Sequence, residues 1–82
     1  MTDQEKRRRM HDLDVTVWVG KHGIESVVEE LSDQLDERDL VKVKFLRAAR
    51  GGTTTEDLAA DLAEQVSGDL VRTRGHTAVI ER

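Results

Sequence analysis

Gly20-Lys21-His22-Gly23 is the short segment of this chain whose residue types and spacing could engage a ligand directly. Glycines at both ends of a four-residue turn permit tight backbone angles and close approach of the main chain to a ligand. A helix starting near Ile24 adds free N–H groups and a positive dipole end, which suit a phosphate. Lys21 places a mobile cation at the tip, and His22 adds a second donor or a ring that can stack. The same four residues also suit a plain strand-to-helix turn, the commoner use of a bare G-x-x-G. They form neither a Walker loop nor a dinucleotide fingerprint, because the lysine–serine pair of the one and the third glycine of the other are missing.

Cations recur elsewhere. Lys6, Arg7, Arg8 and Arg9 are consecutive near the start, where they read equally as a phosphate-contacting arm or as a solvated, frayed terminus. Lys42 and Lys44 alternate on a strand-like run, Arg47 and Arg50 follow in the next loop, and Arg72 and Arg74 alternate on a later run. One such pair is an ordinary wet strand face. Three basic segments in a chain of net charge −4 ask for more. Trp18 stands out of phase with the valines around it and could stack on a base. A lone tryptophan in so small a domain more often packs under a helix, and that is where Trp18 is expected.

The charge is segregated. Glu25, Glu29, Glu30, Asp33, Asp36, Glu37 and Asp39 face only Arg38 over residues 24–39, and Glu56, Asp57, Asp61 and Glu64 face no base over residues 56–64. The rest of the chain is basic. Such asymmetry within one small domain separates a solvated face from a working face. Cysteine is absent, which removes thiol catalysis, disulfides and cysteine-ligated zinc. His11, His22 and His76 share no ligand spacing, so neither a metal nor any other cofactor is expected. No nucleophile–base pattern or carboxylate pair stands out, and an enzyme is not expected. No run approaches the roughly 18 apolar residues of a spanning helix. The charged start, MTDQEKRRRM, carries no apolar signal segment, so the expected location is the cytoplasm.

With 82 residues, 37% of them hydrophobic and 37% charged, the chain is expected to form a single domain over 1–82 around a thin core. Residues 3–12 are rich in helix formers and predict a short polar first helix. Val15-Thr16-Val17-Trp18-Val19 has the composition of a strand, with Val15, Val17 and Val19 on one face. From Ile24 the period lengthens: Ile24, Val27, Val28, Leu31 and Leu35 make one helical stripe. Val41, Val43 and Phe45 alternate with Lys42 and Lys44 on a second strand. Thr53, Thr54 and Thr55 can cap a third helix striped by Leu58, Ala59, Leu62, Ala63 and Val66, with Gly68 as its stop. Residues 70–80 read as a hairpin. The order α-β-α-β-α-β-β predicts an α+β, two-layer fold with helices packed on a small mixed sheet. Helices with one apolar stripe each cover one sheet face and leave at least part of the other accessible.

The residues Val17-Trp18-Val19-Gly20-Lys21-His22-Gly23-Ile24, an acidic helix, and then Leu40-Val41-Lys42-Val43-Lys44 resemble the CRM domain, the chloroplast RNA splicing and ribosome maturation family, in its stand-alone YhbY-like form. The resemblance runs from the basic first helix to the terminal hairpin. It implies a four-stranded mixed sheet with three helices, similar to the C-terminal domain of translation initiation factor three. It also implies binding of structured RNA, with a link to the large-subunit ribosomal precursor. The family's RNA-contacting loop carries over to Gly20, Lys21, His22 and Gly23. Its basic surface maps onto Lys42, Lys44 and the arginines of the first helix, Arg7, Arg8 and Arg9.

The chain departs from the familiar form in its net acidity. Two acidic helix faces suit a cytoplasm of high salt, so a halophilic archaeal origin is expected. High salt weakens the charge part of RNA binding, since the Debye length at 1 M is only about 3 Å. The expected function is a non-enzymatic RNA-binding module, a monomer with no membrane partner, acting in ribosome assembly or RNA folding. Lys42, Lys44, Arg47, Arg50, Arg72 and Arg74 extend its RNA track. The rival expectations are an Alba-like protein that coats nucleic acid as a dimer, and a protein-interaction module working through the acidic second helix.

Overall fold

The computed structural model describes Gln4 and residues 12–82. Within them, chain order runs β1 (Val15–Val19), α1 (Val28–Glu37), β2 (Leu40–Phe45), α2 (Thr55–Gln65), β3 (Asp69–Arg74) and β4 (Thr77–Glu81). The four strands form one mixed sheet in the order β1-β2-β4-β3, so the α+β expectation holds. Two α-helices belong to the described residues, and the expected basic first helix falls almost wholly outside them. β1 runs parallel to β2, while β4 is antiparallel to both of its neighbours. The β3–β4 hairpin closes through Gly75 and His76, and Gly75 takes φ +58° at the first turn position, as a two-residue hairpin of the right twist requires.

Both helices cover one face of the sheet. The core joins Val17 and Val19 of β1, Val41, Val43 and Phe45 of β2, and Ala78 and Ile80 of β4 to Leu31 and Leu35 of α1 and Ala59, Leu62 and Ala63 of α2. Each fully buried aliphatic or aromatic side chain here contributes roughly 1.5–3 kcal/mol. Thr54 caps α2 by accepting a hydrogen bond from the Asp57 N–H at 3.1 Å. At the far end of the chain, the Arg82 guanidinium donates to the Asp36 carbonyl and to Asp39, each at 3.2 Å, fastening β4 to the end of α1.

Three local expectations are corrected. Val15 does not join Val17 and Val19 in the core: the pairing slips by one residue, setting Val15 opposite Lys42 and Val17 opposite Val43. The extra residue, Thr16, turns to α1, where its hydroxyl donates to the Gln34 side-chain oxygen and its carbonyl accepts from Gln34 Nε2. The helix expected from Ile24 starts as a 3-10 turn over Ile24–Val27, and the α-helix begins only at Val28. The Ser26 hydroxyl and N–H both donate to the Gly23 carbonyl, an i to i+3 pattern that tightens this first turn.

The stop of α2 is also built differently. The Gly68 N–H donates to Ala63 O and the Ser67 N–H to Glu64 O, which makes Ser67, at φ +56°, the left-handed residue. Gly68 is needed for closeness instead. A Cβ there would stand 2.7 Å from the Glu81 carbonyl oxygen and 3.0 Å from Ile80 Cγ2.

Candidate nucleic-acid interface

Strand alternation decides which side chains reach the face that the helices leave bare. Val41, Val43 and Phe45 point into the core, so Lys42 and Lys44 point away from it. On β1 the same rule turns Trp18 outward between buried Val17 and Val19. Its side is 54% exposed, which corrects the expectation that it packs under a helix. No helix lies on that face to receive it among the described residues.

Register then assembles these residues into rows. Trp18 is opposite Lys44, Lys44 opposite Thr77, and Thr77 opposite Arg74, so one row crosses all four strands. The next row sets Lys42 opposite Val79 and Val79 opposite Arg72. A slip between Leu70 and Arg72 makes this possible, because it returns Leu70 to the core beside Ile80 and brings Arg72 to the bare face. One row further, Leu40, Glu81 and Asp69 are paired, and among the paired strand residues carboxylates enter only there. Leu13 packs with Leu40, Val71 and Val79 and closes part of this face away from the Trp18 row.

The turns gather at the Trp18 end. The Leu46 N–H donates to Val19 O at 2.8 Å, and the Phe45 N–H donates to His76 O at 2.8 Å. Gly20–Gly23, the segment after β2 and the Gly75-His76 turn therefore border one rim of the sheet. Within Gly20–Gly23 the Gly23 N–H donates to Gly20 O at 3.0 Å, leaving exposed Lys21 and His22 as the two central residues. Gly23 sits at φ +77°, ψ −179°, a region that only glycine occupies readily. Gly20 has no such need: a Cβ there would meet only Leu46 Cδ1, at 3.9 Å.

The expected helix dipole behind this turn is reduced. A 3-10 turn with no side-chain cap and with Glu25 in it separates Gly23 from the α-helix. The turn thus offers an anion the glycine backbone and Lys21 rather than a long helix.

The sequence-predicted cations are partly brought together. Lys42, Lys44, Arg72 and Arg74 share the bare face, and Lys21 and Arg47 are exposed on its rim. Arg50 is half-buried, and its Nε donates to Phe45 O at 3.1 Å, so its guanidinium is partly spent on the loop. Lys6, Arg7, Arg8 and Arg9 lie outside the described residues. Lys44 and Arg74 root two strands apart, about 10 Å, comparable with the Debye length of roughly 8–10 Å in physiological salt. Their fields overlap there and separate at high salt. The exposed acids of α1 and α2 lie on the opposite layer, so the domain has an acidic side and a basic side.

Sequence reasoning placed the strand cations correctly and misplaced Trp18. The signal was present: a residue between two inward valines on a strand must face outward. Leu46, two residues beyond Lys44, is also 40% exposed, which nothing in its residue type signals.

Residues 2–82 match the family model described as CRS1 / YhbY (CRM) domain. The whole chain aligns at 34% identity with a probable RNA-binding protein of Methanocaldococcus jannaschii, covering 69% of that protein. Among solved structures, the solution structure of a Staphylococcus aureus protein proposed to bind RNA superposes with a TM-score of 0.76. The sequence identity is 31%, over 96% of this chain and 81% of the other.

Proposed function

Because the chain belongs to the CRS1 / YhbY (CRM) domain family, we propose that it is a non-enzymatic, monomeric RNA-binding protein of the cytoplasm. Its substrate is structured RNA, with a ribosomal precursor as the first candidate, and its role is to assist ribosome assembly or RNA folding. We extend the kinship to the C-terminal domain of translation initiation factor three on the shared four-stranded mixed sheet.

The observation that carries the reading is the patch formed by the Trp18–Lys44–Thr77–Arg74 row, the Lys42–Arg72 row and the Gly20–Gly23 turn, in which no acid stands among the described residues. Phosphates are attracted to this side and repelled by the acidic helix layer, so charge alone orients the RNA. Lys21 neutralises a phosphate at the turn, and Lys42, Lys44, Arg72 and Arg74 carry the backbone across the sheet. The acid-rich helices lower non-specific affinity, leaving more of the binding to hydrogen bonds and arginine forks.

The test is binding of a labelled, structured ribosomal RNA fragment to wild-type protein and to a Lys44→Glu/Arg74→Glu variant. Both residues are exposed, so the variant is expected to fold normally and to lose at least tenfold in affinity. A control variant, Glu29→Gln/Asp33→Asn on α1, is expected to bind no more weakly than wild type. Undiminished binding by the folded charge-reversed protein overturns the assignment of the face.

A further inference from the structure

The geometry points to Trp18 as a stacking platform for an unpaired base, which makes the substrate RNA with a loop, bulge or single-stranded end rather than continuous duplex. The inference rests on the RNA-binding reading and sharpens it.

Burial alone gives Trp18 no structural duty. A tryptophan normally repays its size by burying its ring, and here Trp18 is 54% exposed on a sheet face over which no helix lies among the described residues. Its neighbours complete a subsite. Lys44 is its partner on β2, and Leu46, also exposed, stands two residues further on, just past the end of that strand. Gly20 is two residues beyond Trp18, and it carries no side chain beside Leu46, whose Cδ1 would lie 3.9 Å from a Cβ there. Two strand residues span about 6.6 Å, which a single extended nucleotide bridges. A phosphate held at the Lys21 turn therefore sets an adjoining base over the indole, with Lys44 beside its own phosphate.

Stacking selects for unpaired nucleotides, because inside a duplex both faces of each base are already covered by neighbours. Any base has such a face, so the platform discriminates by exposure and not by sequence.

Trp18 is the chain's only tryptophan, so intrinsic fluorescence reports on this position alone. The experiment compares an RNA hairpin with a loop of several unpaired nucleotides against a blunt duplex of the same stem, using labelled-RNA anisotropy and Trp18 emission. Wild type is expected to prefer the hairpin and to show quenching with it. Trp18→Ala is expected to lose about 5- to 150-fold in hairpin affinity, with duplex affinity unchanged, and Trp18→Phe to recover much of the loss. Equal hairpin binding by Trp18→Ala and wild type, or emission unmoved by a bound hairpin, overturns the platform while leaving RNA binding intact. If wild type binds neither RNA at low salt, the RNA-binding reading fails and the platform with it.

Discussion

Lys44 is the register partner of Trp18 across the parallel β1–β2 pair, so a cation and an exposed aromatic ring stand side by side on the bare face of the sheet. This pairing follows from alternation. The residues on either side of each, Val17 and Val19 on one strand and Val43 and Phe45 on the other, are wholly buried beneath the helices. The core thereby aims the side chains of the bare face.

Gly20 and Gly23 look equivalent in sequence and should respond differently. Gly20→Asp meets no backbone constraint and only ordinary contact with Leu46, so it is expected to leave thermal stability nearly unchanged while weakening RNA binding about tenfold by placing an anion at the turn. Gly23→Asp forces a side chain into φ +77°, at a cost of about 1–3 kcal/mol. Thermal melts of both variants beside RNA titrations separate the two effects.

Salt dependence measures the number of phosphates engaged. Replacing Lys44 by alanine is expected to lower the slope of log K against log salt by roughly 0.7–0.9, the share of one phosphate contact. Binding measured at four salt concentrations checks this, and an unchanged slope removes Lys44 from the track.

At the end of α2, Ser67 holds the left-handed position that glycine fills more cheaply, with Gly68 directly after it. Ser67→Gly is expected to stabilise the domain by about 0.5–1 kcal/mol, the relief of strain less the added freedom of the unfolded chain. Gly68→Ala, driven against the Glu81 carbonyl, is expected to destabilise by about 1–3 kcal/mol. Urea melts of the two variants should move in opposite directions.

Phe45 is the largest fully buried side chain among the described residues and belongs to the core cluster that joins the sheet to both helices. Phe45→Ala is expected to cost about 3–5 kcal/mol, a large part of what a domain this small possesses. Loss of the cooperative melt near room temperature is the observation to make.

Much of this was legible in the sequence. The period-2 runs around Val17 and Val43 and the helical stripes through Leu31 and Leu62 carry the fold, because one-sided burial leaves a direct trace in residue spacing. The cations of β2 and β3 were legible for the same reason. The slips at Thr16 and between Leu70 and Arg72 left no trace, since an inserted residue shows only when its partner strand is known. The left-handed Ser67 was hidden by a glycine one position later that is required for a different reason. Trp18 is the exception: its residue type favours burial, but its phase between Val17 and Val19 points it outward.

The most direct measurement is an NMR titration of labelled protein with a structured ribosomal RNA fragment, repeated at low and high salt. Shifts concentrated at Trp18, Lys21–Gly23, Lys44 and Arg74, with the amides on the outer face of α1 unmoved, are the predicted result. Shifts confined to the acidic helices, or a spectrum that stays still at every salt, would contradict it.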